Sequence, residues 1–539
     1  MKIVTFYSFR GGVGRSLSVA NVGHNLVETR ERRVLLVDFD LEAPGLSFMP
    51  FLSPEKKAKS GGIFEFMLAF QKGRNPDIAN YVSPLREYQN HLFLMKSGNM
   101  QKGYSVGELN VKRLLKSTRQ RPNFAQYFRK QAESLGYHYV LLDSRTGLTE
   151  IGGMCTVALA DLVVILTGLN RQNLEGTKWV LRNIQARGAD PNRSLVVFSH
   201  VPDSEEELKR RRMREALNDL GLKGGQASTS LSYHPRVSLE EELFVKDWPE
   251  TRLAESYVRL AKEICSRNDE DIDKLTARIR GAEYGPPRKT EETLRQVAET
   301  ADSLYPESPT LHRALGVVYF ARKLDIDAQR HLSLYLRKSP GLHPVEQSLL
   351  LTCLYRQNKV GELEAEFRRA VDLARKSDAG VRSEMVERLA ILDRAYIQSR
   401  PKARRKVAVW LRGEAEMLKL MLRTKQSNER MARLLDGLSG TEVYLHYVDP
   451  NTRYLDAALE HARESLRLGN ESATYNLACA YALKGQRVEA LRELQRTPPR
   501  TLITVAPDKD RDWEMYWSDP EFRKILRTAK RDALPRRRR

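Results

Sequence analysis

Short apolar runs alternate with amphipathic stretches of helical period along the first half of the chain. This alternation is typical of a parallel β-sheet whose strands are joined by crossover helices. Runs such as Leu162–Leu166 are apolar at every position, as expected of strands covered on both faces. Seven strands are predicted: Ile3–Ser8, Val34–Asp38, Leu92–Met95, Tyr139–Leu142, Leu162–Thr167, Ser194–Ser199 and one near Ser230–Tyr233. We therefore expect an α/β domain with a parallel sheet over residues 1–268, closed by a helix at Glu250–Ser266.

The second half is almost wholly helical in pattern, with Leu and Ala recurring at spacings of three and four from about residue 289. Two stretches match the spacings of the 34-residue tetratricopeptide repeat, in which small residues let paired helices approach closely. The matching positions are Leu315, Gly316, Tyr319, Ala328, Leu332 and Pro340, and again Leu477, Ala478, Tyr481, Ala490 and Leu494. Residues 377–470 fit the period poorly, and an irregular helical domain stays an alternative.

Three further boundaries follow from this pattern. Gly285-Pro286-Pro287 indicates a linker, which we place at residues 269–288. A tetratricopeptide-like all-α array is expected over 289–502, and a C-terminal helix with a basic tail over 503–539. The stretch Asp519–Leu526 is amphipathic, and a capping helix is preferred for it over a membrane-binding helix.

Composition narrows the class of protein. Hydrophobic residues make up 41% and charged residues 29% of the 539, so most of the chain is expected to fold. No apolar run is long enough for a membrane span and Met1–Phe6 has no signal-peptide pattern, so we expect a cytoplasmic protein that does not bind membranes. The four cysteines are far apart in sequence and do not have the spacing of a zinc finger or a disulfide scaffold.

The chain is strongly basic, with 90 Lys and Arg against 69 Asp and Glu and a net charge of +21. Such a balance makes anionic partners, including DNA, plausible, although a solvated basic surface is the plainer interpretation of any single cluster. The basic clusters lie within Lys112–Lys130, at Lys402–Lys406 and at Arg536–Arg539.

The segment with the clearest chemistry is Phe9-Arg10-Gly11-Gly12-Val13-Gly14-Arg15-Ser16, between the first strand and a helical run. Glycines let successive backbone N–H groups point at a phosphate, and the following helix N-terminus favours an anion. A cation then neutralises the β- and γ-phosphate oxygens, and a hydroxyl binds Mg²⁺. Arg15 occupies the position of the cation and Ser16 that of the hydroxyl. Phe9 and Arg15 depart from the strict phosphate-binding template, which has Gly and Lys there.

Four ordered motifs resemble those of the ParA/MinD-type deviant P-loop ATPases. They are Gly-Gly-Val-Gly-Arg at 11–15, Asp-Leu-Glu-Ala-Pro-Gly-Leu at 40–46, Asp-Ser-Arg-Thr-Gly at 143–147 and Asn-Arg-Gln at 170–172. More narrowly, they resemble a bacterial branch whose loop carries Arg in place of the usual Lys and whose members are often fused to tetratricopeptide or other effector domains.

The resemblance implies ATP and Mg²⁺ as cofactors and assigns roles to residues. The implied nucleotide-binding residues are Gly11, Gly12, Val13, Gly14, Arg15, Ser16 and Leu17. The implied metal-binding residues are Ser16, Asp38 and Asp143. Asp40 is the residue implied to position the attacking water, and Arg10 falls where the family has a lysine that reaches the phosphates of a dimer partner. Ser199 lies where the family often has a base-contacting Asn, so the choice between ATP and GTP stays open.

For Arg145 and Glu42 we prefer a structural salt bridge or loop anchor to a catalytic role. Arg10 could likewise pair with a local carboxylate such as Glu42 instead of projecting toward a partner. These are the plainer interpretations of charged loop residues near a strand end.

Three functions remain in competition at the level of sequence. The leading hypothesis is a slow, Mg²⁺-dependent ATPase that forms a homodimer on binding ATP and signals through the helical array to a protein partner, in a bacterial regulatory or defence system. The second is a partition-like protein that binds DNA in its ATP-bound form. The third is a scaffold that binds nucleotide without hydrolysing it. Arg10 and Arg15 favour this hypothesis, and the intact acids Asp38, Asp40 and Asp143 argue against it.

Overall fold

The computed structural model describes residues 1–28, 31–99, 105–186, 193–222, 227–283, 287–397, 404–424 and 426–533. The chain divides into two compact units. Unit 1 comprises Met1–Arg278 and Arg295–Glu307, and unit 2 comprises Ile279–Leu294 and Ser308–Arg539. None of the helices in the described residues combines the length and the apolar character needed to cross a bilayer.

Unit 1 is built on a sheet that has eight strands in the described part of the chain, in the order β3-β4-β2-β5-β1-β6-β7-β8. The strands are β1 (Lys2–Tyr7), β2 (Val34–Asp38), β3 (Ser83–Pro84), β4 (Leu92–Met95), β5 (Tyr139–Asp143), β6 (Leu162–Thr167), β7 (Ser194–Val201) and β8 (Ala227–Ser232). All neighbours are parallel except β3 and β4. The α/β fold class and the seven predicted strands are confirmed, and the two-residue β3 is an addition.

Helices cover both faces of this sheet. They are α1 (Arg15–Val27), α2 (Ile63–Gln71), α3 (Val111–Leu114), α4 (Phe124–Ser134), α5 (Glu150–Gly153), α6 (Arg171–Ala186), α7 (Glu206–Asp219), α8 (Phe244–Asp247) and α9 (Arg252–Ser266), with a π-helix at Met154–Leu159. Apolar residues of α1 and α9 pack on one face, and the aromatic side chains of α2 and α4 pack on the other. Burial on both faces explains why the central strands are continuous apolar runs.

A polar cluster closes the end of the sheet at which β2 and β5 begin. Both oxygens of the buried Asp271 accept hydrogen bonds from Arg32, at 2.8 and 2.9 Å, and one also accepts from the Tyr139 hydroxyl at 2.7 Å. We call Arg32, Tyr139 and Asp271 the foot cluster. Beside it, His138 bonds to the Leu304 carbonyl oxygen at 2.7 Å. These contacts tie residues beyond 268 into unit 1.

The segment predicted as a linker therefore has regular structure. Residues 269–288 include the buried Asp271 and the helix α10 (Ile272–Gly281), and α11 (Pro287–Leu304) begins before their end. The linker was predicted from Gly285-Pro286-Pro287, and the burial of Asp271 was missed because its partner Arg32 is 239 residues away in sequence. Residues 284–286 of the Gly-Pro-Pro segment lie outside the described residues.

Unit 2 is helical throughout its described residues. Its further helices are α12 (Pro309–Ala321), α13 (Asp325–Lys338), α14 (Pro344–Arg356), α15 (Val360–Lys376), α16 (Ala379–Ile397), α17 (Arg404–Leu422), α18 (Asn428–Val448), α19 (Thr452–Arg467), α20 (Ala473–Leu483), α21 (Arg487–Arg496), α22 (Pro499–Val505) and α23 (Pro520–Asp532), with a 3₁₀ helix at Arg511–Tyr516. The two stretches that match the tetratricopeptide spacing fall on α12–α13 and α20–α21. At Gly316 of α12 a Cβ atom would lie 2.7 Å from Leu332 Cγ of α13, so a small residue is required there.

Candidate functional site

The loop between β1 and α1 lies at the carboxyl edge of the sheet, where open parallel sheets bind ligands. Gly12 and Gly14 adopt φ values of 77° and 71°, in the left-handed region that favours glycine. Gly14 is the N-cap of α1, and Ser18 Oγ donates to its carbonyl oxygen at 2.7 Å. Gly11 and Gly12 are exposed, whereas Leu17 packs partly buried against the core. The loop thus presents open backbone in front of a helix N-terminus, an arrangement that suits an anion.

The inner side of the loop is fastened to β7. The buried Ser199 Oγ donates to the Val13 carbonyl oxygen at 2.7 Å, so the residue predicted at a base-contacting position holds the loop. The next residue, His200, has a φ of 56°, and its Nε2 lies 3.5 Å from the place that a Cβ on Gly14 would occupy. Its ring stands edge-on to that of Tyr233, with centroids 6.2 Å apart. The His200 ring therefore lies beside the loop, and the Tyr233 ring packs against it.

Two acids end the adjacent strands β2 and β5 in register, Asp38 opposite Asp143, and both are fully buried. Asp38 accepts hydrogen bonds at both oxygens, from the backbone N–H of Asp40 at 3.3 Å and of Ser47 at 2.8 Å. Burial, with a smaller contribution from Asp143, raises the pKa of Asp38 to about 7. The two carboxyl groups therefore disfavour each other's charge and favour a cation between them.

Arg15 enters this acidic edge from α1. Its Nη2 donates to Asp40 Oδ2 at 2.9 Å, and its Nε donates to Asp143 Oδ1. Only 9% of the Arg15 side chain is exposed, so the pairing takes place away from water. Asp40 also accepts at Oδ1 from the Ala43 N–H at 3.2 Å, which fixes the turn after β2. The structure thus brings the predicted phosphate-binding cation together with one predicted catalytic and one predicted metal-binding acid.

One carboxylate oxygen of the site has no hydrogen bond of good geometry within the part of the chain that the structure describes. This oxygen is the fully buried Asp143 Oδ2, and the Ser16 hydroxyl is a donor that approaches the Asp143 carboxyl. Ser16 lies beside it, because a Cβ on Gly45 would collide with Ser16 Oγ and would lie 3.4 Å from Asp143 Oδ2. The absence of a side chain at Gly45 keeps open the space in front of both oxygens. A hydroxyl and a buried carboxylate oxygen facing one gap fit the ligand preference of Mg²⁺.

The other charged residues considered for the site are Arg10, Glu42 and Arg145. Arg145 Nη1 pairs with Glu42 Oε1, so these two anchor loops to each other. Arg10 is exposed and makes no hydrogen bond or ion pair with the described residues. Glu42, the local partner considered for Arg10, is therefore paired with another arginine.

Sequence reasoning missed several residues that shape the site. Gly45 and Ser47 lie within or just after the motif at 40–46, of which only the acidic residues were assigned roles. The pair Pro44-Gly45 in this motif indicates a close approach of backbone. Tyr7, the last residue of β1, donates its hydroxyl to the Gly147 carbonyl oxygen at 2.9 Å and so holds the loop after β5. His200 lies near the carboxyl end of β7, at the ligand-binding edge of the sheet, and its position directly after the predicted strand Ser194–Ser199 was the available signal for it.

Solved structures with a similar fold cover about half of this chain. MinD of Aquifex aeolicus is 15% identical with a TM-score of 0.37, covering 49% of this chain and 98% of its own. A ParA family ATPase from Chlorobium tepidum TLS is 17% identical with a TM-score of 0.38, covering 48% and 98%. A putative plasmid partition protein of Borrelia burgdorferi B31, described as bound to AMPPNP, is 15% identical with a TM-score of 0.36, covering 50% and 99%. No protein-family model and no curated protein matches the chain.

Proposed function

We propose that unit 1 binds ATP with Mg²⁺ on the residues from Gly11 to Leu17 and hydrolyses the ATP slowly. The observation behind the proposal is that Asp143 Oδ2, beside the Ser16 hydroxyl, is buried and has no hydrogen bond of good geometry among the described residues. A buried acceptor that lacks a good hydrogen bond is costly, so a ligand at this position is favoured. The motifs that resemble ParA/MinD-type ATPases favour ATP as the nucleotide.

The phosphates would lie along the residues Gly11, Gly12, Val13 and Gly14 and against the start of α1. The left-handed backbone at Gly12 and Gly14 turns the chain sharply there. Successive N–H groups in such a turn form a concavity for anions, and the helix adds partial positive charge. Ser199 would keep this loop in shape through its bond to the Val13 carbonyl oxygen.

The residues Ser16 and Asp143 would hold Mg²⁺, and Asp38 would order the water around it. This division follows from the hydrogen bonds: both Asp38 oxygens already accept from backbone N–H groups, whereas Asp143 Oδ2 has no hydrogen bond of good geometry in the described residues. When bound, Mg²⁺ supplies neutralisation of the phosphate charge.

Arg15 would exchange partners to reach a phosphate. Its guanidinium is held by Asp40 and Asp143, and contact with a phosphate oxygen requires that it release at least one of them. We assign the release to Asp40, since that carboxylate would then be available to orient the attacking water. Phosphoryl transfer depends mainly on such positioning and on charge neutralisation.

Magnesium dependence of binding tests the proposal. Wild-type full-length chain should bind a non-hydrolysable ATP analogue more tightly with Mg²⁺ than without it, and Ser16→Ala should remove that difference while retaining metal-free binding. Ser18→Ala is the matched control, because this hydroxyl on the same helix is engaged by the Gly14 carbonyl oxygen. A wild-type protein that does not bind the analogue, or a Ser16→Ala variant with the full magnesium effect, would refute the assignment.

Dimerisation on ATP is the second part of the proposal, with Arg10 acting on the partner's phosphate. The exposure of Arg10 and the pairing of Glu42 with Arg145 support a role for Arg10 outside its own loop. A permanent cation supplied from a facing subunit stabilises the charge that develops in phosphoryl transfer. The helical unit would then transmit the nucleotide state to a protein partner.

A DNA-binding function stays the second candidate because of the surface of α7. Arg210 and Arg211 are 77% and 68% exposed even though they pair with Glu206 and Glu215 of the same helix, and Arg214 is exposed beside them. By contrast, two residues of the predicted cluster at 112–130 are engaged within unit 1: Arg121 lies over the Phe70 ring and Arg129 pairs with Asp161. Lys402 and Arg536–Arg539 lie outside the described residues. A salt titration of DNA binding, with and without ATP, separates this function from a purely protein-directed switch.

A further inference from the structure

A compact group of acids and a thiol lies near the C-terminal end of unit 2. Cys479 of α20, together with Asp510 and Asp512 at the start of the 3₁₀ helix, places one ligand atom of each residue within 4.8 Å of the others. Cys479 is 1% exposed and Asp512 is 8% exposed, whereas Asp510 is half-buried. We call these three residues the Cys479 cluster. Its members come from segments 31 residues or more apart, which is why sequence spacing did not reveal it.

Asp510 and Asp512 of the Cys479 cluster differ in the hydrogen bonds that they accept. Asp510 accepts from the Asp512 N–H at 3.1 Å and from the Tyr475 hydroxyl at 2.6 Å, so its orientation is fixed. Asp512 instead has the Cys479 thiol and the Tyr447 hydroxyl as its side-chain hydrogen-bonding neighbours. Because a carboxylate offers about four lone-pair sites, Asp512 retains capacity for a further ligand beside these two donors.

A second observation points to the sulfur. Trp513 is fully buried, and its indole N–H, which has no hydrogen-bond partner of good geometry in the described residues, faces Cys479. An N–H group is a donor only, and sulfur is a better acceptor as a thiolate than as a thiol. The indole contact thus favours a thiolate, whereas burial beside two carboxylates opposes one unless a cation is present.

The charge of the cluster requires compensation. Two carboxyl groups and a thiol lie within 4.8 Å of one another, and Cys479 and Asp512 are buried, so ionisation of all three would place like charges side by side away from water. A buried acidic group is satisfied either by protonation or by a cation.

We propose that Cys479, Asp510 and Asp512 bind a divalent, thiophilic cation of the zinc class. A thiolate with carboxylates selects such a metal over Mg²⁺, which prefers oxygen ligands alone. Zinc lies about 2.3 Å from sulfur and about 2.0–2.2 Å from carboxylate oxygen, so donors already within 4.8 Å of one another need only small side-chain movements. On binding, the thiol proton and the proton of Asp512 pass to solvent, and the half-buried Asp510 marks the side from which the ion enters.

Cobalt titration of the metal-stripped, full-length chain tests this site. Co²⁺ alone should produce a thiolate-to-cobalt charge-transfer absorption with one ion per chain, and Zn²⁺ alone should displace it and raise the unfolding temperature. Cys479→Ser should abolish the band. Cys353→Ser is the matched control: this thiol is also buried in unit 2, but the neighbouring Asp325 is already paired with Arg356.

A second variant keeps the test decisive if Cys479→Ser does not fold. Asp512→Asn preserves the size of the side chain and should weaken Co²⁺ and Zn²⁺ binding about tenfold or more, since loss of an outer-shell partner of a metal already costs that much. No absorption band in the wild type, a band that survives Cys479→Ser, or unchanged affinity in Asp512→Asn would each overturn the proposal. Because neither variant touches unit 1, loss of metal binding with intact ATP binding separates this site from the proposed ATPase.

Discussion

Replacing Asp40 by Asn isolates the proposed exchange of partners by Arg15. Asp40 Oδ2 accepts from Arg15 Nη2 at 2.9 Å, and its Oδ1 accepts from the Ala43 N–H at 3.2 Å. Asn has the same shape and still offers a carbonyl oxygen to the Ala43 N–H, so the turn after β2 should persist. The substitution removes the negative charge that holds Arg15 and leaves the contact with Asp143.

The size of the effect follows from the burial of the pair. The side chains of Arg15 and Asp40 are 9% and 8% exposed, so water weakens their interaction little. A hydrogen bond to a charged group contributes about 1.5–3 kcal/mol, and wild-type protein would lose this contribution when Arg15 turns to a phosphate. Asp40→Asn should therefore bind nucleotide about ten- to a hundredfold more tightly than wild type. Hydrolysis should fall at the same time, because Asn cannot act on the attacking water as a carboxylate does.

Two measurements check these opposite effects. Calorimetric titration with Mg²⁺ and a non-hydrolysable ATP analogue gives the affinity, and phosphate release from ATP gives the rate. Glu42→Gln is the matched control, because Glu42 lies in the same loop but pairs with Arg145. Unchanged or weaker nucleotide binding in Asp40→Asn would refute the exchange by Arg15, and hydrolysis at the wild-type rate would refute the role given to Asp40.

Three further predictions concern the partner subunit, the boundary of unit 1 and pH. Arg10→Ala and Asp40→Asn proteins, each inactive alone, should regain phosphate release when mixed, because one site of a mixed dimer has both an intact Arg10 and an intact Asp40. Mixed dimers that form without regaining activity would refute the action of Arg10 on the partner's phosphate. A fragment of residues 1–307 should resist urea better than one of residues 1–268 by about 3 kcal/mol or more, because the shorter fragment loses the buried acid of the foot cluster; equal midpoints would contradict this. Burial lowers the pKa of His138 to about 4, so the unfolded chain takes up the proton first as pH falls below about 6.5, and wild type should lose about 2 kcal/mol of stability between pH 7 and pH 5. Denaturant titrations at both pH values should show a smaller loss in His138→Gln, and an equal loss would contradict the assignment.

The sheet was predictable because its central strands are buried on both faces and are therefore apolar at successive positions. The edge strand β3 has two residues, Ser83 and Pro84, and carries no such pattern. The foot cluster was not predictable for a different reason. Asp271 falls in the segment predicted as a linker, and its burial depends on Arg32, which is distant in sequence and reaches it only in the folded sheet.

The position of the candidate site could also be predicted, since parallel strands bring their carboxyl ends to one edge of the sheet. The ends of β1, β2 and β5 supply the loop, Asp38 and Asp143 in this way. The partners of each side chain could not be predicted. Ser199 holds the Val13 carbonyl oxygen instead of facing solvent, and Gly45 leaves open the gap beside Ser16.

The partners of Arg15 show why local pattern was insufficient. Its place in the loop predicts a cation directed at phosphate, yet in the folded chain two carboxylates from neighbouring strands lie within its reach. A buried guanidinium with two buried acids is stabilised by pairing, and removal of any one partner leaves charge without compensation. A phosphate must therefore compete with Asp40 and Asp143 for the same guanidinium, and Mg²⁺ must share Asp143 with it. Nucleotide affinity and the arrangement of the catalytic acids are consequently set by one exchange, so a substitution that tightens binding by freeing Arg15 should also slow hydrolysis.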